Sequence, residues 1–109
     1  MYISITGIKT KSFFGMLKFM RYTLPSFTAA RKANGNLFCD SKKINKYHHT
    51  LTAWENRSKM MDYLRGKHHS SAMKNFRSIG TGSVYGYEDD LIPSWEDALK
   101  KWKENFKEI

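Results

Sequence analysis

The chain has 109 residues, 40% hydrophobic and 15% aromatic, and its 19 Lys and Arg against 10 Asp and Glu give a net charge of +9. That length leaves room for one core and excludes a second domain, and the apolar content excludes a disordered chain in spite of the charge. Cys39, the one cysteine, excludes an internal disulfide, Met1 to Ile5 lack the basic-then-apolar layout of a secretory signal, and no apolar run approaches the roughly 18 residues of a membrane span. A cytoplasmic protein with no membrane span is expected.

Tyr2 to Ile8 alternates β-branched and polar residues and is predicted to be a strand, with Ile3 and Ile5 on one face and Tyr2, Ser4 and Thr6 on the other. Ser12 can cap a helix in which Phe13, Met16, Leu17 and Met20 share a stripe; Pro25 interrupts it, Ser26 restarts it, and Asn34-Gly35 ends it. Asn36 to Cys39 is a short strand, residues 40–46 a polar turn, and Tyr47 to Trp54 the strand that completes the hairpin. Asn56 or Ser58 caps a helix carrying Met60, Met61, Tyr63 and Leu64 that stops near Gly66. Ser70 caps a second one whose face holds His69, Ala72, Met73 and Phe76. Ser83 to Tyr87 is a fourth strand. Ser94, with Asp97 three residues on, caps an appended helix over 94–107 that aligns Trp95, Leu99, Trp102 and Phe106.

This order of strand, helix, strand, strand, helix, strand is the ferredoxin-like split βαβ arrangement, an α+β fold with a four-stranded antiparallel sheet in one domain spanning residues 1–109. Alternation also suggests where a site lies. Tyr2, Ser4 and Thr6, then His48, Thr50, Thr52 and Trp54, then Ser83, Tyr85 and Tyr87 form polar and aromatic sets, expected to share one face and to line a cleft. The opposite face, with Ile3, Ile5, Leu51, Ala53 and Val84, is expected to meet the helices. A solvated or dimer-buried face would use the same residue types.

Several segments resemble the dimeric α+β-barrel superfamily, which includes the antibiotic-biosynthesis-type monooxygenases, in the branch of spheroidene monooxygenase and related bacterial proteins. They are Gly35-Asn36-Leu37, Thr50-Leu51-Thr52-Ala53-Trp54-Glu55 and His69-Ser70-Ser71-Ala72-Met73, with Met61 and Tyr63 between them. The resemblance covers about residues 1 to 87 and leaves out the aromatic C-terminal helix. It implies a homodimer whose sheets pair face to face; it does not fix a reaction, because this superfamily hosts many.

His69 sits at the family-like position, where a neutral imidazole could ligate haem iron or shuttle a proton; the competing role is a helix-start histidine bonded to backbone. Trp54 and Tyr85 are the candidate cofactor contacts, and His48, Thr50 and Thr52 the candidate substrate contacts. Adjacent histidines at 48–49 and 68–69 diverge on a strand or helix, so no metal site is expected from them. No phosphate loop, dinucleotide fingerprint or nucleophilic-thiol motif is present.

Charge supplies the alternative. Residues 1–50 hold nine Lys or Arg against Asp40 alone, which suggests an anionic partner. Nucleic acid, an acidic membrane surface or a ligand with carboxylates or phosphates would each serve, but lysine outnumbers arginine fourteen to five; scattered lysines mark a solvated surface, the stronger reading, and recognition of phosphates and bases favours arginine, which disfavours nucleic acid. Two functions result: a monooxygenase-like enzyme binding a hydrophobic or aromatic small molecule, with haem as a candidate cofactor, or a non-catalytic dimeric module for an anionic ligand or nucleic acid, bound through Lys42, Lys43 and Lys46.

Overall fold

The computed structural model describes residues 1–10, 21, 25, 28–66 and 80–108. The first helix expected from Ser12 falls mostly outside these residues, and the second short helix, with His69, entirely so. Of the former, residues 28–32 are helical and Ala30 is buried. Gly35 then takes φ +88°, the left-handed conformation that ends a helix and that glycine adopts without strain. Among the described residues no helix is long and apolar enough to cross a membrane.

Among the described residues five antiparallel strands make one sheet in the order β2-β3-β1-β4-β5: β1 is Tyr2–Thr10, β2 Asn36–Ile44, β3 Tyr47–Trp54, β4 Gly80–Glu88 and β5 Lys107–Glu108. The first four follow the expected ferredoxin-like order. β5 is an addition: the terminal helix, α2 (Trp95–Asn105), stops short of the expected boundary and the chain pairs with Ser83 and Val84. β2 is longer than expected, because Asp40 to Lys43 continue the ladder and only Asn45 and Lys46 turn, Asn45 at φ +56°. α1 (Arg57–Leu64) begins at Asn56, whose side-chain oxygen accepts the Lys59 N–H at 3.0 Å, and α2 begins at Ser94, whose hydroxyl accepts the Asp97 N–H at 3.2 Å. Each cap satisfies an N–H that the helix cannot, a contribution of about 1 kcal/mol.

Register sets the faces. Ile3 pairs with Ala53 and Tyr87, Ile5 with Leu51 and Tyr85, and Gly7 with His49 and Ser83. These residues share one face, and α2 covers it: Ile3, Ile5, Leu51, Ala53, Ala98 and Trp102 form the buried core, with Phe38, Tyr47, Tyr85, Tyr87 and Trp95 packed around it. Two indoles pin the helix. The Trp95 N–H donates to the Asp40 carboxylate at 2.9 Å, and the Trp102 N–H donates to the Ser83 carbonyl at 3.4 Å. Trp102 lies on the backbone at Gly7, where any Cβ would run into its ring, so glycine there is a packing requirement.

The other face carries Tyr2, Ser4, Thr6, His48, Thr50, Thr52, Trp54 and Val84. Trp54 stacks on Tyr63 of α1, with ring centroids 5.3 Å apart, so this polar face also lies against a helix. The expected grouping is corrected in one strand. Ser83, Tyr85 and Tyr87 belong with the apolar residues, and Val84 with the threonines, because Tyr2 pairs with Glu88 and sets β4 one residue out of the assumed phase.

Replacing Trp102 with alanine removes the indole from Gly7, Tyr47 and His49 at once and should destabilise the fold by about 3–5 kcal/mol, read as a lowered urea midpoint.

Candidate functional site

On the face under α1, Trp54 ends β3 one residue before the Glu55-Asn56 turn. The Glu55 N–H donates to the Gly35 carbonyl at 2.8 Å, tying this corner to the start of β2. Trp54 is 1% exposed, yet its indole N–H has no acceptor among the described residues. Ser4 and Thr52, paired across the strands beside it, are buried, while Thr6, Thr50 and His48 farther along are half-buried. Cys39 pairs with Thr52 on the same face. Burial pushes its thiol up to about 11, against the opposing pull of the Arg31 charge, so it is neutral and unreactive at pH 7.

His48 and His49 point to opposite faces. His48 sits below its ordinary value of 6.5, first because burial disfavours the imidazolium and then because Lys43 and His49 add positive charge. His49 belongs to the α2 face. Its Nδ1 donates to the Thr6 carbonyl at 3.1 Å, its ring meets the Trp102 edge at 4.8 Å, and it stacks on Tyr47 at 5.8 Å. Burial lowers its pKa too, outweighing the bond to Thr6, so the ring is neutral at pH 7.

The structure therefore brings together Trp54, Thr52, Thr50 and, at the far end, His48. Tyr85 is across the sheet with Ile5 and Leu51, stacked on Tyr87 at 5.5 Å. His69 lies outside the described residues, and its role as proton donor or haem ligand rests on the resemblance alone. Two features were not visible beforehand: the Tyr63 ring on Trp54, and the unsatisfied N–H of Trp54. Tyr63 carries no spacing signal of its own, since the stack depends on how α1 is laid over the sheet. Among the described residues no three His, Cys, Asp or Glu side chains converge as metal ligands would.

No family model matches the sequence, and no curated protein matches it. Solved structures do match in shape. The fold is that of the antibiotic-biosynthesis monooxygenases. A protein of this kind from Nitrosomonas europaea aligns with a TM-score of 0.74 at 14% identity, covering 84% of this chain and all of that one. One from Deinococcus radiodurans aligns at 0.73 and 16% identity, covering 86% and 97%. SnoaB, a cofactor-independent oxygenase from Streptomyces nogalater, aligns at 0.68 and 7% identity, covering 85% and 97%. This is the ferredoxin-like α+β fold expected from the strand order. At such identities the likeness is one of backbone, and the side chains on the Trp54 face of this antibiotic-biosynthesis-monooxygenase fold are the chain's own.

The two histidines make stability depend on pH. Unfolded, each takes up a proton near 6.5; folded, each resists it. Their contribution is therefore complete above that value and is lost as pH falls below 6.5 toward the lower folded values. The urea midpoint should drop on acidification through this range, and His49→Gln should flatten that slope more than it lowers the midpoint at pH 8.

Proposed function

We propose that the chain is a monooxygenase-like protein that holds a flat hydrophobic or aromatic small molecule against the Trp54 face of its sheet. The observation that supports this is the Trp54 N–H, buried and without an acceptor among the described residues. A buried donor left unsatisfied costs about 1–3 kcal/mol, and a carbonyl or phenolic oxygen on a ligand would recover it while the ring system packs beside the Trp54–Tyr63 stack. Thr52 is the next residue on the same face, and Thr50 and His48 follow at about 7 Å steps. A compact ligand touching Trp54 reaches Thr52; one that also meets His48 is about 20 Å long. Tyr85, on the far side of the sheet, is left out of this reading.

That SnoaB is a cofactor-independent oxygenase suits a site of this composition, built from an indole, hydroxyls and a neutral imidazole. Haem fits the described residues poorly. His49 faces α2 with Nδ1 engaged, and His48 lies about 20 Å along β3 from Trp54. The branch of spheroidene monooxygenase is the one that the segments at 35–37, 50–55 and 69–73 favour. A cytoplasmic homodimer completes the reading, with the apolar rim that α2 leaves around itself, Phe38, Tyr85, Tyr87 and Trp95, as the surface a second copy would cover.

Native mass spectrometry of protein purified from its own host should give a dimer mass with a retained organic molecule, and Trp54→Phe, which keeps an aromatic ring and removes the donor, should weaken that molecule's binding roughly 5- to 150-fold. A bare protein with an unchanged Trp54→Phe variant in ligand screens would sink the reading.

A further inference from the structure

The antiparallel register gathers charge at one end of the sheet. The β2–β3 turn, the end of β1 and the start of β4 lie together, since Lys9 pairs with both Tyr47 and Thr81 and Ile44 pairs with Tyr47. Lys42 and Lys43 lie opposite His49 and His48, and Lys46 is in the turn itself. Lys9, Lys42, Lys43 and Lys46 are all exposed. Lys42 and Lys9 are on the α2 face, Lys43 is on the Trp54 face and Lys46 is at the tip, so the charge wraps the end of the sheet. Among the described residues no carboxylate forms an ion pair with any of the four; the pair of Arg65 with Asp62 is away on α1. β2, β3 and β1 are adjacent strands, so the four charges fall within a width of about 10 Å, comparable to the Debye length at 0.1 M salt, and act on a partner as one field. That field is felt inside the fold, where Lys43 helps to keep His48 unprotonated.

We infer that this lysine-bearing end of the sheet docks the protein on an anionic membrane surface. Three features select a lipid surface over nucleic acid, and a fourth leaves the charges free to reach it. The charges are lysine ammoniums, which attract a diffuse layer of headgroups without the forked geometry that reads phosphates and bases. They sit on a hairpin end, which meets a plane readily. Tyr47, the aromatic ring that pairs with both Lys9 and Ile44 among the described residues, is half-buried and packed against His49 and Trp102, so it offers no platform for stacking a base. Finally, no hydrogen bond or ion pair within the described residues holds the four ammoniums, which leaves them able to approach headgroups. An attachment of this kind would keep a protein that handles hydrophobic small molecules beside the phase in which they dissolve. It rests on charge alone, so it stands whether or not Trp54 holds a ligand.

The test is sedimentation of the full chain with vesicles of equal parts phosphatidylglycerol and phosphatidylcholine, beside vesicles of phosphatidylcholine alone. Binding to the anionic vesicles should fall steeply with salt. It should also weaken about fivefold for each tip lysine neutralised, in the series Lys46→Gln, then Lys43→Gln, Lys42→Gln and Lys9→Gln added in turn. A control carrying Lys32→Gln, Arg57→Gln, Lys100→Gln and Lys101→Gln loses the same charge elsewhere on the exposed surface and should bind within a few-fold of wild type. Circular dichroism confirms that each variant is folded. Equal binding to both kinds of vesicle, an equal loss in the control, or release from vesicles by single-stranded DNA at a lower charge concentration than that of the lipid would each overturn the inference.

Discussion

The indole of Trp102 lying on the backbone at Gly7 is the contact on which the rest of this structure depends. A sheet of ferredoxin order has two faces, and the helices of the split βαβ unit cover only one. Here the apolar residues of the central strands, Ile3, Ile5, Leu51 and Ala53, point to the other face, where they would otherwise meet water. α2 closes that face, and it can approach closely enough only because position 7 has no side chain. The N–H bonds of Trp95 to Asp40 and Trp102 to Ser83 fix the helix across the sheet from β2 to β4, so that the same two residues supply apolar area and direction. A region of sequence outside the family resemblance thus completes the core of this chain.

With the apolar residues committed to α2, the face under α1 can be polar. That division explains how buried Ser4 and Thr52 lie next to Trp54 in a domain this small, and how a donor with no acceptor among the described residues persists there: the core on the far side supplies the stability that such an N–H subtracts. The backbone geometry shared with SnoaB is thus the frame on which this sequence places Ser4, Thr52 and Trp54.

Much of this was legible in the amino-acid order because the informative features are local. The N-caps at Asn56 and Ser94 depend on residues three apart, the limits of β3 on a run of alternating residues between polar turns, and the stripe of α2 on 3.6-residue periodicity. What sequence could not supply was non-local. Alternation groups Ser83, Tyr85 and Tyr87 correctly among themselves, but which face they join depends on the offset between β1 and β4, and tyrosine suits either a wet or a packed face. β2 hid for a related reason. It is an edge strand, so its polar stretch from Asp40 to Lys43 has the composition of a loop while its backbone stays in the ladder. Trp54 could be singled out from its place at the end of a strand, whereas its partner Tyr63 needed the position of α1 over the sheet.

The irregularity between Asn36 and Phe38 gives β2 one residue more than its partner strand over the same span. Leu37 takes up the difference and is pushed outward, about half exposed. Every residue after it changes sides: Asp40 comes round to meet the Trp95 indole, and Cys39 turns away toward Thr52. The bulge thus acts as a reading frame for the edge of the sheet. Relatives that lack the extra residue would have no reason to keep a carboxylate at the position of Asp40 or an indole at that of Trp95, and those three features should be gained and lost together as the fold diversifies.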